Sequence, residues 1–584
     1  MTHPAAPQPQ PLFGLASRAA SAPAEPAAPA APMTRAHRRV ILASSLGTIF
    51  EWYDFYLYGA MALLIARHFF GALEPASAFV FALLAFAAGF VVRPFGALVF
   101  GRLGDLVGRK YTFLLTIVVM GLTTFMVGLL PGHDDIGLAA PVILIGLRLL
   151  QGLALGGEYG GALVYVAEHA PASRRGLYTA WIQTNATLGL MLALLVMLGT
   201  RAVVGDAAFE AWGWRVPFLL SIVLLAVSSW IRLSMAESPL FQQLRDRGGA
   251  SSGPLGESFG RWRNLRLVLL ALFGLVAGQA VVWYAGQLYA LFFLQDVLKV
   301  DAGTASLLVA VALLITAPFF VVFGALSDRI GRKPVLLTGL LLAVIGFFPL
   351  FKAMTLAANP ALARAQATVQ VLVRADPATC SFQGNPVARD VDFISGCDVA
   401  RRALAGQAVH YAHEALPPGS AAEVQIDGRT LRPPVLVPAP GGHRIDNDSV
   451  RALRSFRQDV GAALVAAGYP AQAPAIGAGS ATWWQLVGLL VLLGIVVAMV
   501  YGPTAATLVE LFPTRIRYTA VSLPYHLGNG WFGGLLPSIA FAMVAGRGDA
   551  FHGLWYPVLV AALTFVIGAL WLPETRGRDL AALR

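Results

Sequence analysis

Charge is what this chain has least of. Asp, Glu, Lys and Arg make up 12% of its 584 residues, against 57% apolar, and the mean hydropathy is +0.68. A soluble domain carries roughly twice that charged fraction. So little charge cannot cover a water-facing surface, which leaves lipid as the main solvent. Alternating ten-residue strands are absent, which argues against a membrane barrel. The chain has no nucleophile motif, no metal-ligand spacing and no phosphate-binding loop; nothing in it calls for an enzyme, a metal or a cofactor. No kinase-like, cyclase-like or DNA-binding segment follows the last apolar stretch, which ranks a membrane ligand sensor low. Cysteine occurs twice, as Cys380 and Cys397.

What is present is a series of long apolar segments. A membrane span needs about 20 mainly apolar residues. Twelve stretches qualify: 40–69, 77–100, 111–130, 141–167, 177–199, 215–235, 266–295, 303–326, 335–354, 483–509, 517–545 and 553–572. Inside lipid the backbone must satisfy its own hydrogen bonds, so each is expected to be a helix. The net charge of +11 does not indicate nucleic acid, because the basic residues gather in alternate connections. They include Arg102, Arg109 and Lys110, then Arg174 and Arg175, then Arg329, Arg332 and Lys333, then Arg515 and Arg517. That is the positive-inside pattern, and it puts both termini in the cytoplasm. Arg201 and Arg215, at the edges of the connection after the fifth segment, fit it less well.

The stretch 356–480 has ordinary polar composition and by this topology lies on the periplasmic side. β-leaning runs at 369–373, 409–411 and 423–426 and a helical run at 449–467 predict a small α+β domain, with a cap or spacer as its simplest role. Both cysteines fall here, and an oxidising compartment permits a Cys380–Cys397 disulfide. In the chain-entropy model it contributes about 3 kcal/mol; two free buried thiols are the other possibility.

The chain repeats itself 223 positions apart. Gly101-Arg-Leu-Gly-Asp105-Leu-Val-Gly108-Arg109-Lys110 returns as Gly324-Ala-Leu-Ser-Asp328-Arg-Ile-Gly331-Arg332-Lys333. Glu168-x-x-Pro171 with Arg174/Arg175 echoes Glu510-x-x-Pro513 with Arg515/Arg517, and Glu237-Ser-Pro239 resembles Pro573-Glu574-Thr-Arg576. Two halves related by duplication follow. The expected fold is an all-α membrane protein of twelve transmembrane helices in two six-helix pseudo-symmetric halves, with a small periplasmic α+β insertion. Its expected parts are a disordered cytoplasmic tail (1–36), a first half (37–236), a linker (237–265), helices seven to nine (266–355), the insertion (356–480), helices ten to twelve (481–573) and a tail (574–584).

The repeated loops resemble the hallmark motif of the major facilitator superfamily. Gly47-Thr-Ile-Phe-Glu51-Trp52-Tyr53-Asp54-Phe55-Tyr56-Leu-Tyr58-Gly59, Arg93-Pro94-Phe-Gly96 and Arg148-Leu-Leu-Gln151-Gly-Leu-Ala-Leu-Gly156-Gly157-Glu158-Tyr159-Gly160-Gly161 resemble its metabolite:proton symporter family. The resemblance covers nearly all of 35–584 except the insertion, and implies carriers similar to those for α-ketoglutarate, citrate, shikimate and proline/betaine. Its motifs do not name the substrate. The implied partners are a small-molecule solute, protons and the lipid bilayer of a bacterial inner membrane.

In the loops, Asp105 suits a helix N-terminus, where the macrodipole favours an anion, or a pair with Arg109. Such contacts require the cytoplasmic ends to be together and would stabilise an outward-open state; Asp328 and Arg332 repeat the arrangement. A purely topogenic basic loop is the plainer alternative. Ionisable groups inside spans are costly and point to function. Five stand out: Glu51, Asp54, Arg93, Arg148 and Glu158. Glu51 and Asp54 share a helix face, Gln151 follows Arg148 by three, and Arg93 lies roughly 12 Å along its helix from Gly101. Three carboxylates against two arginines leave one unpaired, and desolvation favours its protonated form. Asp54 or Glu51 is the expected proton site, with Arg148 or Arg93 attracting a substrate carboxylate and Glu158 competing for Arg148. Fixed Arg93–Asp54 and Arg148–Glu158 ion pairs are the purely architectural alternative. In the second half Gln279, Trp283 and Gln287 form one stripe, with Tyr284 beside it, suited either to a ligand or to holding helices together. His526 and Asn529 are weaker candidates. Proton-coupled symport of a carboxylate or zwitterion leads; an exporter on the same fold is the alternative.

Overall fold

The computed structural model describes residues 45, 48–50, 52–59, 61–71, 75–233, 237–247, 251–381, 390–405, 407, 409–440 and 444–580. The expected tail at 1–36 and the candidate Glu51 lie outside them. Helical residues 48–50 and 52–59 precede α1 (Ala62–Phe69) and α2 (Pro75–Leu106). Among the described residues nine helices are long and apolar enough to cross a membrane. They are α3 (Arg109–Leu129), α4 (Ala139–His169), α5 (Ala172–Val204), α6 (Arg215–Leu233), α7 (Trp262–Val297), α8 (Ala302–Ile330), α9 (Arg332–Ala358), α13 (Ala481–Leu511) and α16 (His552–Trp571). Between α13 and α16 come α14 (Arg517–Leu527), a π-helical turn (Gly528–Gly533) and α15 (Leu536–Arg547).

The repeated loop motif builds the same corner twice. Gly108 and Gly331 precede α3 and α9 with φ of 133° and 108°, a region that side-chain-bearing residues avoid. A Cβ would stand 2.3 Å from the Glu237 carboxylate at Gly108 and 2.5 Å from that of Glu574 at Gly331. Those carboxylates cap the helices that follow. Glu237 accepts from the backbone N–H of Arg109 and Lys110, each at 3.1 Å; Glu574 accepts from those of Arg332 at 2.9 Å and Lys333 at 3.1 Å. Burial alone would favour protonated Glu574, but four backbone N–H donors outweigh it and hold this carboxyl below its ordinary range.

Small residues set how closely helices approach. Added Cβ atoms at Gly96, Gly152 and Gly156 would lie 2.0–2.2 Å from carbonyl oxygens of the facing helix, α2 against α4. Such seams let backbones meet in lipid, where no hydrophobic force drives association. In the second half Gly502 of α13 approaches the Phe320 carbonyl of α8 in the same way. α7 is interrupted by π-helical turns at Leu272–Val276, Tyr284–Tyr289 and Phe293–Val297.

Between α9 and α13 the chain folds into α10 (Pro360–Thr368), β1 (Val371–Ala375), α11 (Gly396–Ala405), β2 (Ala412–Ala415), β3 (Glu423–Ile426), β4 (Arg429–Leu431) and α12 (Asn447–Ala466). The sheet order is β2-β1-β3-β4, with β1 parallel to β2 and the other pairs antiparallel. The expected strand at 423–426 forms there, and that at 369–373 starts two residues later. The run 409–411 is not a strand: Tyr411 N–H donates to Gly548 O at 2.8 Å, tying this segment to the corner after α15, and pairing with β1 begins at Ala412. Cys380 and Cys397 are disulfide-bonded, with Cα atoms 5.2 Å apart. Denatured protein treated with a maleimide-polyethylene glycol should take up label only after reduction, two adducts per chain; labelling without reductant would contradict the bond.

Candidate functional site

The α2–α4 glycine seam carries Arg93 and the pair Arg148/Gln151 to one spot, facing Asp54 on the first helical stretch. Arg148 Nη1 donates to Asp54 Oδ2 at 3.1 Å, and both side chains are buried. The Tyr58 ring lies 3.8 Å from the Arg148 guanidinium, and Arg93 sits 4.3 Å over the Phe90 ring. Gln151 Nε2 donates to Thr124 Oγ1 at 2.6 Å. Asp54, Arg93, Arg148 and Gln151 line a cavity of about 20 Å³, room for about one water. Asp54 Oδ1, Arg93 Nε, Arg148 Nε and Nη2 and Gln151 Oε1 are buried without a hydrogen-bond partner among the described residues. Buried polar groups are nearly always satisfied, so this cluster holds unused capacity for an acceptor and for donors.

Glu158 is not part of this group. The sequence reading set it against Arg148; the structure pairs it with Arg232 of α6 at 3.3 Å. Arg232 also donates to the Phe113 carbonyl at 2.9 Å and lies 3.4 Å over the Phe113 ring. Glu158 therefore drops out of the expected count of three carboxylates to two arginines; among the described residues the cavity is lined by one carboxylate and two guanidiniums, and Glu51 lies outside them.

The second-half candidates stand apart from the cavity. Gln279 and Asn529 exchange amide hydrogen bonds of 3.4 and 3.3 Å. The Trp283 ring lies 5.1 Å from that of Trp52, two residues before Asp54, and 4.9 Å from that of Tyr284. Gln287 is buried on the same helix. Tyr159 of α4 stacks on Tyr525 of α14 at 3.6 Å, and Tyr525 shares a 2.7 Å hydrogen bond with Tyr501. His526 is buried, and its Nε2 has no hydrogen-bond partner among the described residues.

At the face bearing the repeated loops, the two halves are fastened by two matching sets of buried contacts. Asp105 accepts from the backbone N–H of Tyr518 at 3.2 Å and Thr519 at 2.9 Å, at the start of α14. Asp328 accepts from those of Gly176 at 2.9 Å and Leu177 at 2.7 Å, near the start of α5. Each carboxylate thus meets a helix N-terminus of the other half, where backbone donors and dipole favour an anion. Arg109 lies 3.2 Å from Asp105 and donates across to Thr514 O at 2.7 Å; Arg332 bonds Asp328 at 2.6 Å and Glu510 at 3.3 Å. Arg517 reaches Glu168 of the first half at 2.8 Å, and Arg175 reaches Glu510 of the second at 2.7 Å. The hydroxyls of Ser238 and Thr575 complete the two carboxylates, Glu168 and Glu510.

Arg175, Glu168, Glu510 and Arg517 were visible only as echoes between halves and were not among the expected gate residues. Arg232, the partner of Glu158, is not among the expected site residues; it lies near the end of its apolar segment, 74 positions from Glu158.

Buried charge lattices thus join two helical halves at one face, and a small polar cavity lies apart from them in the first half. The fold of the chain matches a solved structure of the major facilitator proton:xylose symporter XylE bound to 6-bromo-6-deoxy-D-glucose, with a TM-score of 0.60 and 17% identity over 94% of this chain and 98% of that one. Residues 40–255 match the family model for sugar (and other) transporters and residues 161–375 that for MFS/sugar transport proteins. The chain is 36% identical over 326 residues to the proline/betaine transporter of Escherichia coli K12, covering 54% of this chain and 64% of that protein. It therefore spans a little under two thirds of that relative's length. It is 36% identical to the shikimate transporter of the same organism, over 54% of this chain and 72% of that one. With its α-ketoglutarate permease it shares 35% identity over 56% and 74%. The chain belongs to the major facilitator superfamily, in the family of metabolite transporters that includes these carriers.

Removing one member of a buried ion pair typically costs about 3–5 kcal/mol, whereas replacing both members by apolar residues of like shape is close to neutral. Arg232→Met alone should lower the thermal unfolding midpoint of the purified protein strongly, and Glu158→Met with Arg232→Met should restore most of it. Equal losses in single and double variants would mean the pair carries no mutual dependence.

Proposed function

We propose that this chain is a secondary active transporter that couples uptake of a small organic anion to protons by alternating access. The observation that carries this reading is the cavity in which one carboxylate, Asp54, faces two guanidiniums, Arg148 and Arg93, all with unused hydrogen-bonding capacity. Among the described residues the guanidiniums outnumber the carboxylates by one; an excess cation in lipid surroundings is costly, and a solute carboxylate is the simplest group to relieve it. A carboxylate that takes Arg148 displaces Asp54 from the one cation it bonds among the described residues. A buried carboxyl without a cation favours the protonated form, so binding of the anion brings a proton with it. Gln151 and the Gln279–Trp283–Tyr284–Gln287 face are assigned to the uncharged part of the solute, reached when the halves rearrange. The zwitterions named for some relatives fit less well, since their cationic end would meet Arg93.

The remaining expectations are part of the same proposal. Twelve spans follow from the apolar segments, and cytoplasmic termini and repeated loops with a periplasmic 356–480 insertion follow from the distribution of basic residues. In that orientation Asp105, Arg109, Asp328 and Arg332 form the cytoplasmic gate, closed here, and Arg175 and Arg517 belong with them.

The test is uptake of labelled α-ketoglutarate, shikimate and glycine betaine into proteoliposomes, with and without an inward proton gradient. At least one anionic solute should accumulate only with the gradient. Asp54→Asn should still exchange that solute across the membrane but no longer concentrate it. Gradient-driven accumulation by Asp54→Asn would remove Asp54 from the coupling scheme, and preference for the betaine would overturn the anion assignment.

A further inference from the structure

A second and far larger cavity, about 690 Å³, opens where the insertion meets the second half. One wall is the β1–β2 side of the sheet with Tyr411. The other is the end of α9, with Phe348 and Lys352, and the corner between α15 and α16, with Arg547, Asp549 and Phe551. The corner is shaped for this docking. Gly548 has φ of 72°, and a Cβ there would stand 2.4 Å from the Tyr411 carbonyl, so only glycine allows the hydrogen bond between Tyr411 and Gly548.

The charges of the cleft do not cancel. Asp549 is already engaged: it accepts from Phe551 N–H at 2.8 Å and stands 3.3 Å from His410 Nε2. Burial holds the His410 imidazole below its ordinary range, with Lys352 acting in the same direction and Asp549 against it, so His410 adds no fixed positive charge. Lys352 and Arg547 are both exposed, and neither has an ion-pair partner among the described residues. Lys352 Nζ lies 6.0 Å over the Phe551 ring. Two uncommitted cations thus stand beside an aromatic floor, in a space within the usual range of about 300–1,000 Å³ for small-molecule sites.

We propose that this cleft is a second ligand site, separate from the central cavity, for a small organic anion with a flat apolar body. Its acidic group is drawn to Lys352 and Arg547 while the body rests on Phe551 and Phe348. The site is made wholly by the insertion and the second half, so it travels with that half and does not depend on which face of the carrier is open. The inference stands on this cleft alone and does not require the transport scheme.

Binding of benzoate to the purified full-length protein, with benzamide as the uncharged isostere, tests it. The measurement is made by calorimetry on the Arg93→Gln/Arg148→Gln background, which removes the cations of the central cavity. Benzoate should bind that protein, benzamide at least about tenfold more weakly, a difference of about 1.4 kcal/mol. Adding Lys352→Gln/Arg547→Gln should weaken benzoate by at least about the same factor. The charge-conserving Lys352→Arg/Arg547→Lys pair should retain binding, which separates lost charge from lost fold. No benzoate binding at millimolar concentration, equal binding of benzamide, or no loss in the Gln variants would overturn the proposal.

Discussion

A charge enclosed in a helical bundle needs a partner, and in this protein the decisive partners lie in the other half. Asp105 and Asp328 are satisfied by backbone N–H groups near the starts of α14 and α5. Glu168 and Glu510 are satisfied by Arg517 and Arg175. Parting the halves at this face would leave four buried carboxylates short of donors. Hydrogen bonds to charged groups contribute about 1.5–3 kcal/mol each, so the closed arrangement is held strongly, yet by contacts that water can replace. An apolar seal of similar area would have no such exchange available.

The same logic reaches the centre. Among the described residues Asp54 bonds one cation, Arg148, while Arg93 lies over the Phe90 ring with no carboxylate bonded to it. In the proposed scheme this imbalance draws an anion, and the Asp54–Arg148 contact is the one exchanged for a proton. By contrast Glu158 and Arg232 are matched one to one and covered by Phe113, which suits a fixed brace between α4 and α6. Depth in the membrane alone does not separate these roles; the number of partners does.

Much of the architecture could be read from residue order. Scarcity of charge gave the solvent, and the repeat at 223 positions located both corners, with the glycines and acids that the structure uses there. The glycines after Gln151 were visible as part of a motif, and their physical task is the close α2–α4 approach. Partner identity was not legible. Glu158 and Arg232 are 74 positions apart, and a basic residue near a segment end reads as a topogenic charge. Strand β2 has the sequence Ala-His-Glu-Ala with every residue exposed, so no hydrophobic alternation marks it, and its pairing with β1 decides its conformation. Spacing left Gln279 open between a ligand contact and a bond between helices, and its partner Asn529 lies 250 positions away.

The claim on which most depends is that acid-to-helix contacts across the halves hold the loop-bearing face shut. Spin labels at the exposed positions Arg102 and Arg329, one on each half, report that distance directly by pulsed electron resonance. The unmodified gate should give a dominant short population, and Asp105→Asn with Asp328→Asn should shift it to longer distances without unfolding the protein. A distance distribution that is unchanged when both acids are neutralised would contradict the account.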